Sequence, residues 1–342
     1  LKLDAGNEER EMVHRRRIGV ALRSSPKLIH LWRHKTEASK ALFSPNGEHI
    51  LIIAKGGNKD LRLLEIESGL DALEPLRHRT PIKQAVFNHD GTRIACACEE
   101  GELWIWDTKT GQPLIPALVD ESSAVFLGFS KDGNQLITTS LDGSLKVRDA
   151  KTGEVILTKS QGFQIEAAAL DPSGGRIAIG GSLGFFQIVE LNSGNTLVEE
   201  TVKYRGTVEV LRFNDDGSRL MVISGHRAEV FDGHSGQSVS PELHHGRSWI
   251  YDGVFDPTGT RLVTCGRDGM ARVREFETGS SPFSPLEHKH GVRQVAYSPL
   301  GESILTCSDD RTAVFWSART GEKIGPPLRH SGRITHIDFS HD

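Results

Sequence analysis

Histidine pairs, paired acids, a cysteine pair and one glycine-rich run are the places where this chain could do chemistry. His244-His245 and His288-Lys-His290 offer imidazoles to a metal, but no Cys, Asp or further His recurs around them at ligand spacing. Cys96-Ala-Cys98 puts two thiols on one face of a strand, without the two-residue gap of metal and redox pairs. Asp215-Asp216 and Asp309-Asp310 sit among turn residues, where a carboxylate caps nearby backbone instead of forming an acid–base pair. Gly180-Gly-Ser-Leu-Gly184 runs from one strand-like stretch into another, so no helix N-terminus follows it to hold a phosphate. No Gly-x-Ser-x-Gly, His-Glu-x-x-His or Walker phrase occurs. The expectation is a chain with no catalytic residue, no metal and no cofactor.

The elements that would position these residues are short and repeated. Residues 287–321 hold three apolar-alternating runs of strand length, divided by Ser-Pro-Leu-Gly, Asp-Asp-Arg and Arg-Thr-Gly breaks. One such unit cannot bury both faces of its sheet, so copies are needed. They are present. An aromatic or apolar residue before a Ser/Asn/Asp-x-x-Gly turn recurs at Phe43, Phe87, Phe129, Leu170, Phe213, Phe255, Tyr297 and Phe339. The gaps are 44, 42, 41, 43, 42, 42 and 42 residues. A Ser-Gly or Thr-Gly pair closes each unit, as at Thr110-Gly111, Thr152-Gly153 and Thr320-Gly321. Four strand-sized runs at this period are the spacing of propeller blades and not of helical repeats.

Trp104-Ile-Trp106-Asp107 contains a Trp-Asp dipeptide, and Val147-Arg-Asp149, Val230-Phe-Asp232 and Phe315-Trp-Ser317 hold the same slot. His34, His78, His288 and His330 each fall nine residues before the marker aromatic, and His245 ten before. Over roughly residues 27–342 the chain resembles the WD40 family. That resemblance implies an all-β propeller, most often of seven four-stranded blades, with eight as the alternative. It also implies a hydrogen-bonded chain of His, Ser/Thr, Asp and Trp within a blade. Carried over, that chain is His288, Ser308, Asp310 and Trp316 in the last full repeat. The second repeat keeps His78 and Trp106, with Cys98 and Glu100 in the other places. The third keeps Ser140 and Asp142, with Asp120 at the His place and Arg148 at the Trp place. Such buried networks must be satisfied throughout, so these residues are read as structural.

Residues 1–26 stand outside the repeat. Asn7 followed by Glu8, Glu9 and Glu11, then Arg15 to Arg17 and Ser24-Ser-Pro26, predicts a capped helix with a proline stop. Residues 27–317 are assigned to seven repeats and 318–342 to the start of an eighth or to spare strands. The resemblance makes residues 27–34 an outer strand that pairs with the last three strands and closes the ring.

Composition narrows the function. A net charge of −4, from 41 basic and 45 acidic residues, gives no general attraction to nucleic acid. The longest apolar run, residues 50–54, is far short of the roughly 20 needed to span a bilayer. No secretory signal is read, so the expected compartment is cytoplasmic. The four cysteines, at 96, 98, 265 and 307, fall in second-strand runs and read as reduced packing residues.

What remains is binding. The segments before the inner strands differ most between repeats: 79–83, 121–125, 162–166, 204–209, 247–251 and 291–293. Arg247, Trp249 and Tyr251 on one segment are the residue types enriched at interface hot spots. Phe163, Glu166, Glu209, Arg293 and Lys83 are companions from other repeats. The expectation is a scaffold that binds a protein or peptide at its top rim, and not an enzyme. The alternative is a propeller hydrolase with its site in the central channel. The Gly-x-Pro-Leu-x-His phrasing at 325–330 is similar to that of large bacterial WD40 arrays, which often follow a Ser/Thr kinase domain. That similarity implies docking or sensing beside a kinase.

Overall fold

Alternating apolar runs of about six residues, cut by Asx and glycine turns, become seven four-stranded antiparallel sheets in the computed structural model. The structure describes residues 38–54, 59–202 and 206–340. The helix expected over residues 1–26 lies outside them. Each sheet is built from consecutive strands, so the blades span 38–77, 82–119, 124–160, 165–201, 210–244, 250–287 and 292–329. The inner strands have six residues except for Val210–Phe213. Most outer strands have two, but Val155–Ser160 and Thr196–Thr201 have six. Among the described residues no helix is long and apolar enough to cross a membrane.

The second strand of each blade shows why the repeats need one another. Arg93–Cys98, Gln135–Ser140 and Ser303–Ser308 are buried at every position after the first. A strand covered on both faces loses its polar alternation, and small residues such as Ala, Cys and Thr fill it. Cys96, Cys98, Cys265 and Cys307 are all buried thiols in such strands. Neighbouring sheets share one apolar layer. Leu51, Leu61 and Leu76 of the first blade meet Ile82, Ile94 and Trp106 of the second.

The recurrent Asp at the end of the third strand has its own task. Asp107 accepts the backbone N–H groups of Lys109 and Thr110, at 3.0 and 2.7 Å, and so caps the Thr-Lys-Thr-Gly turn. Asp149 and Asp232 repeat the arrangement. At Gly101, φ is +81° and an added Cβ would lie 2.1 Å from the Asp120 carbonyl oxygen, so only glycine fits that turn.

Two expectations are corrected. The outer strand of the seventh sheet is Leu328–Arg329, paired with Thr312–Ser317. The repeat boundary at residue 317 therefore falls one strand short, and the outer strand expected at residues 27–34 lies outside the described residues. In every sheet the outer strand follows the third strand directly in sequence, because a short turn joins them more cheaply in entropy than a connection around the ring.

The second correction concerns the hydroxyl in the polar chain. In the seventh blade His288 Nδ1–H faces the Asp310 carboxylate at 3.1 Å, which leaves Nε2 to accept the Thr306 hydroxyl at 2.7 Å. Trp316 Nε1–H donates to the same hydroxyl at 2.8 Å. Thr306, and not Ser308, is the link. Ser308 lies two residues on, where its hydroxyl donates to the His290 carbonyl and accepts the Asp310 N–H. The residue nine after the marker carries this role in four blades. Cys96 lies 2.9 Å from His78 Nε2, which accepts Trp106 Nε1–H at 3.2 Å. Thr264 lies between His245, at 2.9 Å, and Arg274, at 3.3 Å. In the third blade Arg148 bonds both Thr138, at 3.1 Å, and the Asp120 carboxylate, which also takes Lys146. That blade builds the same link from a buried ion pair. Ser140 bonds the Ser122 carbonyl and stands beside the chain.

Two outcomes follow for stability. Thr306→Val preserves shape, as Val222 does at the matching place of the fifth blade, but orphans His288 Nε2 and Trp316 Nε1. At about 1–3 kcal/mol per buried unpaired group it should cost roughly 2–4 kcal/mol, read from urea midpoints. Arg148→Met should cost less than the roughly 3–5 kcal/mol of a fully stranded buried charge, because Lys146 still reaches Asp120. The double change Asp120→His with Arg148→Trp should recover most of that loss.

Candidate functional site

Six inner strands begin with a β-bulge, and the bulge selects the rim. The register skips one residue between Ile82 and Gln84, Ile165 and Ala167, Ile250 and Asp252, and Val292 and Gln294. The skipped residues there are Lys83, Glu166, Tyr251 and Arg293. The first and third blades skip Ser39 and Val125 in the same way. In the fifth blade Glu209 stands at the matching place, four residues before Phe213, with its N–H on the Ile223 carbonyl. A bulged residue leaves the ladder and turns its side chain out of the sheet. Five of the residues singled out in the sequence therefore share one structural position around the channel mouth.

The sixth and seventh blades carry the densest part of that rim. Arg293 stacks on the Tyr251 ring with its guanidinium carbon 4.6 Å from the centroid. The same guanidinium grips the Asp309 carboxylate from Nε at 3.0 Å and Nη2 at 2.7 Å. Asp309 raises the Arg293 pKa further through that bond. Trp249, two residues before Tyr251, is 49 % exposed, and Arg247 beside it is also exposed. A large indole held in water two residues from the Tyr251 of a Tyr–Arg–Asp stack is the composition of an interface anchor. The other candidates stand apart from this cluster. Lys83 and Glu166 are exposed on their own blades. Glu209 is half-buried, which pushes its carboxyl pKa up, and it accepts the Gly225 N–H at 3.2 Å. Phe163 is a packing residue: its ring meets Phe185 edge-on at 5.0 Å over the core between the third and fourth blades.

The channel holds residues that the sequence reading passed over. Lys40, Gln84, Asp252, Gln294 and His336 all stand three residues before a marker, and several of them reach the next blade. Gln84 Nε2 donates to the Val125 carbonyl, and Asp252 accepts the Val295 N–H at 3.3 Å. Gln294 accepts the Ile337 N–H at 2.8 Å. Arg212 pairs with Asp252 at 3.3 Å. Burial raises the Asp252 pKa and lowers that of Lys40, although Arg212 and Asp338 respectively oppose those shifts. Alignment of the inner strands on their marker aromatics exposes this position, whereas reading each strand alone shows mainly Ala, Val and Leu.

On the opposite rim a groove of about 620 Å³ lies between the fifth and sixth blades, lined by Asn214, Arg219, Asp256, Arg261 and Glu275. Its Asp256 is engaged with its own turn, accepting the Thr260 and Arg261 N–H groups. Among the described residues no cluster of His, Cys, Asp and Glu has the geometry to hold a metal ion.

Four stretches of the chain match the family described as WD domain, G-beta repeat: residues 74–107, 119–149, 217–274 and 281–317. Over 246 residues the chain is 21% identical to Probable U3 small nucleolar RNA-associated protein 18 of Schizosaccharomyces pombe, covering 69% of this chain and 38% of that protein. Over 140 residues it is 27% identical to Actin-interacting protein 1-2 of Arabidopsis thaliana, covering 40% of this chain and 23% of that one. The chain thus spans well under half the length of these curated relatives. Among solved structures, the computationally designed Ika8 protein superimposes with a TM-score of 0.77 at 20% identity, covering 91% of this chain and 92% of that one. The C-terminal WD40 domain of Sif2 gives 0.71 at 17% identity, covering 84% and 85%. At these identities the likeness is one of fold.

Burial depresses the imidazole pKa of His78, His245 and His288, and burial next to Lys40 takes His336 down to about 4. Below the unfolded value of about 6.5 the unfolded chain binds protons that these folded histidines refuse, so stability falls as pH falls. Asp252 and Glu209, with their raised pKa values, work in the opposite direction but are two groups against four. Thermal melts should therefore show Tm dropping from about pH 7 to about pH 5, with a smaller drop for His336→Gln. A Tm that rises on acidification over this range would contradict the assignment.

Proposed function

We propose that this chain, which is a WD40-repeat β-propeller, serves as a non-catalytic platform that holds a protein or peptide partner on its channel-mouth rim. The observation that carries this reading is Trp249, 49 % exposed beside the Tyr251–Arg293–Asp309 stack. Exposed indole costs free energy in water, and a fixed stack next to it offers a partner a surface that loses little entropy on binding. The rim is also where the repeats differ in residue type while their frame stays constant, as expected when binding residues are carried on a rigid scaffold. The two relatives are named for association with a small nucleolar RNA and for interaction with actin. An interaction role for this chain agrees with those names, and the net charge of −4 favours a protein over a polyanion. At its finest, the reading is a docking or sensing module of a larger bacterial protein, set beside a kinase domain.

The channel is a weaker place for chemistry. Asp252 is the carboxylate that a hydrolase reading would use, yet one of its oxygens is held by Arg212 and the other by the Val295 N–H. Both bonds fasten neighbouring blades together, and the residue is buried. A group spent on such a joint is not available as a base.

A partner isolated on the immobilised chain should be lost from the Trp249→Ala/Tyr251→Ala variant, provided the two proteins melt at the same temperature. Titration should show at least about a 30-fold weaker Kd, the scale of one hot-spot truncation of about 2 kcal/mol. Equal affinity for the two proteins would clear this rim of the role. Turnover of ester, phosphate or glycoside substrates by the partner-free protein would overturn the reading outright.

A further inference from the structure

Two kinds of segment make the rim of the channel mouth. One precedes the inner strand, and the other is the turn from the second strand to the third. Backbone bonds set them side by side: the Glu99 N–H donates to the Pro81 carbonyl at 2.8 Å, Arg267 to Trp249 at 2.9 Å, and Asp309 to Gly291 at 2.9 Å.

Charge is divided across this rim. In the sixth and seventh blades Arg247, Arg267, Lys289 and Arg311 are exposed, and their side chains make no hydrogen bond or ion pair among the described residues. The acids of the same turns are already taken. Asp268 holds His245 and Arg272, Asp309 holds Arg293, and Asp310 holds His288 and the Lys289 N–H. Exposed Glu287 belongs to the outer strand and not to these turns. Across the channel, the second to fourth blades present Glu99, Glu100, Glu121, Asp142 and Glu166, all exposed. Among the described residues Arg79 and Lys83 are the exposed bases of those segments, and Arg79 leans on the buried Glu102 at 3.3 Å.

Two features set the basic half apart. A Cβ built on Gly291 would lie 3.5 Å from the Arg267 Cα, from Tyr251 Cε2 and from Asp309 Oδ2. Arg267, bonded to Trp249 through the backbone, therefore also stands against the Tyr251–Arg293–Asp309 stack. Arg311 is held in the left-handed region, with φ +69°. The third residue of the same turn is Gly101, Gly143, Gly184 or Gly269 in other blades, all at positive φ. Side chains are disfavoured there, so this chain keeps a cation at a place where the fold prefers glycine.

We propose that the partner segment on this rim is an acidic peptide, which sets an apolar side chain against Trp249 and its carboxylates against Arg247, Arg267 and Arg311. This rests on the reading of the rim as a binding surface. The guanidinium groups supply attraction, and the acidic arc opposite repels the rest of the peptide and so confines it to the sixth and seventh blades. The same arc, with the net charge of −4, disfavours a nucleic acid laid across the rim.

Panning a random-peptide phage library on the immobilised 342-residue chain tests this. The selected peptides should carry an excess of Asp and Glu around an apolar residue. The tightest of them, once synthesised, should bind Arg247→Glu/Arg267→Glu about tenfold or more weakly, and should bind the parent chain less tightly as salt rises. Glu99→Gln/Glu100→Gln should leave its affinity the same or tighter. Arg311→Gly should raise Tm, by removing the left-handed side chain, and still weaken the peptide about threefold. A library that yields no peptide sensitive to Arg247→Glu/Arg267→Glu would overturn the proposal. If its peptides are still lost from Trp249→Ala/Tyr251→Ala, the rim keeps its role and only the acidic partner falls. Peptides that bind both variants unchanged remove the rim reading as well. A single-stranded oligothymidine that binds through Arg247 and Arg267, and tighter than the selected peptide, would overturn the proposal in favour of nucleic acid.

Discussion

A four-stranded sheet with apolar side chains on both faces stands only when another sheet covers each face, and every feature of this molecule follows from that requirement. The second strands show it most directly. Their residues are buried at all positions after the first, so neither face of Gln135–Ser140 or Ser303–Ser308 can meet water. A pair of such sheets would still leave two faces bare, and a straight stack would always leave the outermost ones bare. A ring removes the problem, because each sheet is then both covering and covered.

The ring also settles what the polar chains are for. The slot between the rim loop and the third strand is filled in four ways: His–Thr–Trp in the seventh blade, His–Thr–Arg in the sixth, Asp–Thr–Arg in the third, and His–Cys–Trp in the second. The fourth and fifth blades use none of these and place Ile179 with Val189, and Val222 with Phe231, inside the apolar layer. No single residue type or charge is common to all of these solutions. They share complete satisfaction of whatever is buried, which is the condition a low-dielectric interior imposes on polar groups and which an apolar set meets trivially. Loss of the repeat's signature residues therefore costs a blade nothing as long as the whole chain is exchanged together. Exchange of one member alone is what the fold cannot absorb.

Much of this was legible in the sequence, and the limits have physical causes. The period near 42 is legible because each blade repeats four short strands joined by turns of nearly constant length, so the markers keep their spacing. The hydroxyl of the polar chain was harder to find. Thr306 and Ser308 are two apart and point to the same face, and only the height of the His288 ring above the strand decides between them. Trp316 and His78 were legible because large aromatic and imidazole groups are rare and recur at fixed offsets. The closing of the seventh sheet by Leu328–Arg329 turned on which neighbour an outer strand pairs with, and two residues carry too little pattern to say. The channel charges were hidden for the same reason in reverse: Lys40, Asp252 and His336 each look like a single polar residue in an apolar strand until the ring lines them up.

The bulges connect this frame to binding. An inner strand that kept perfect register would deliver its fourth residue before the marker into the sheet, where it would have to be apolar. The extra residue frees that position from the core, so Lys83, Glu166, Tyr251 and Arg293 can differ without any effect on packing. Their backbone stays fixed all the same, because the residues on either side remain in the ladder. A position that is chemically unconstrained and geometrically rigid is what a recognition surface needs: the side chain can be chosen for a partner while the cost of ordering it has already been met in folding. The Tyr251–Arg293–Asp309 stack, which spans two blades, is that principle carried one step further, since it uses the fixed spacing of neighbouring bulges to hold a cation over a ring.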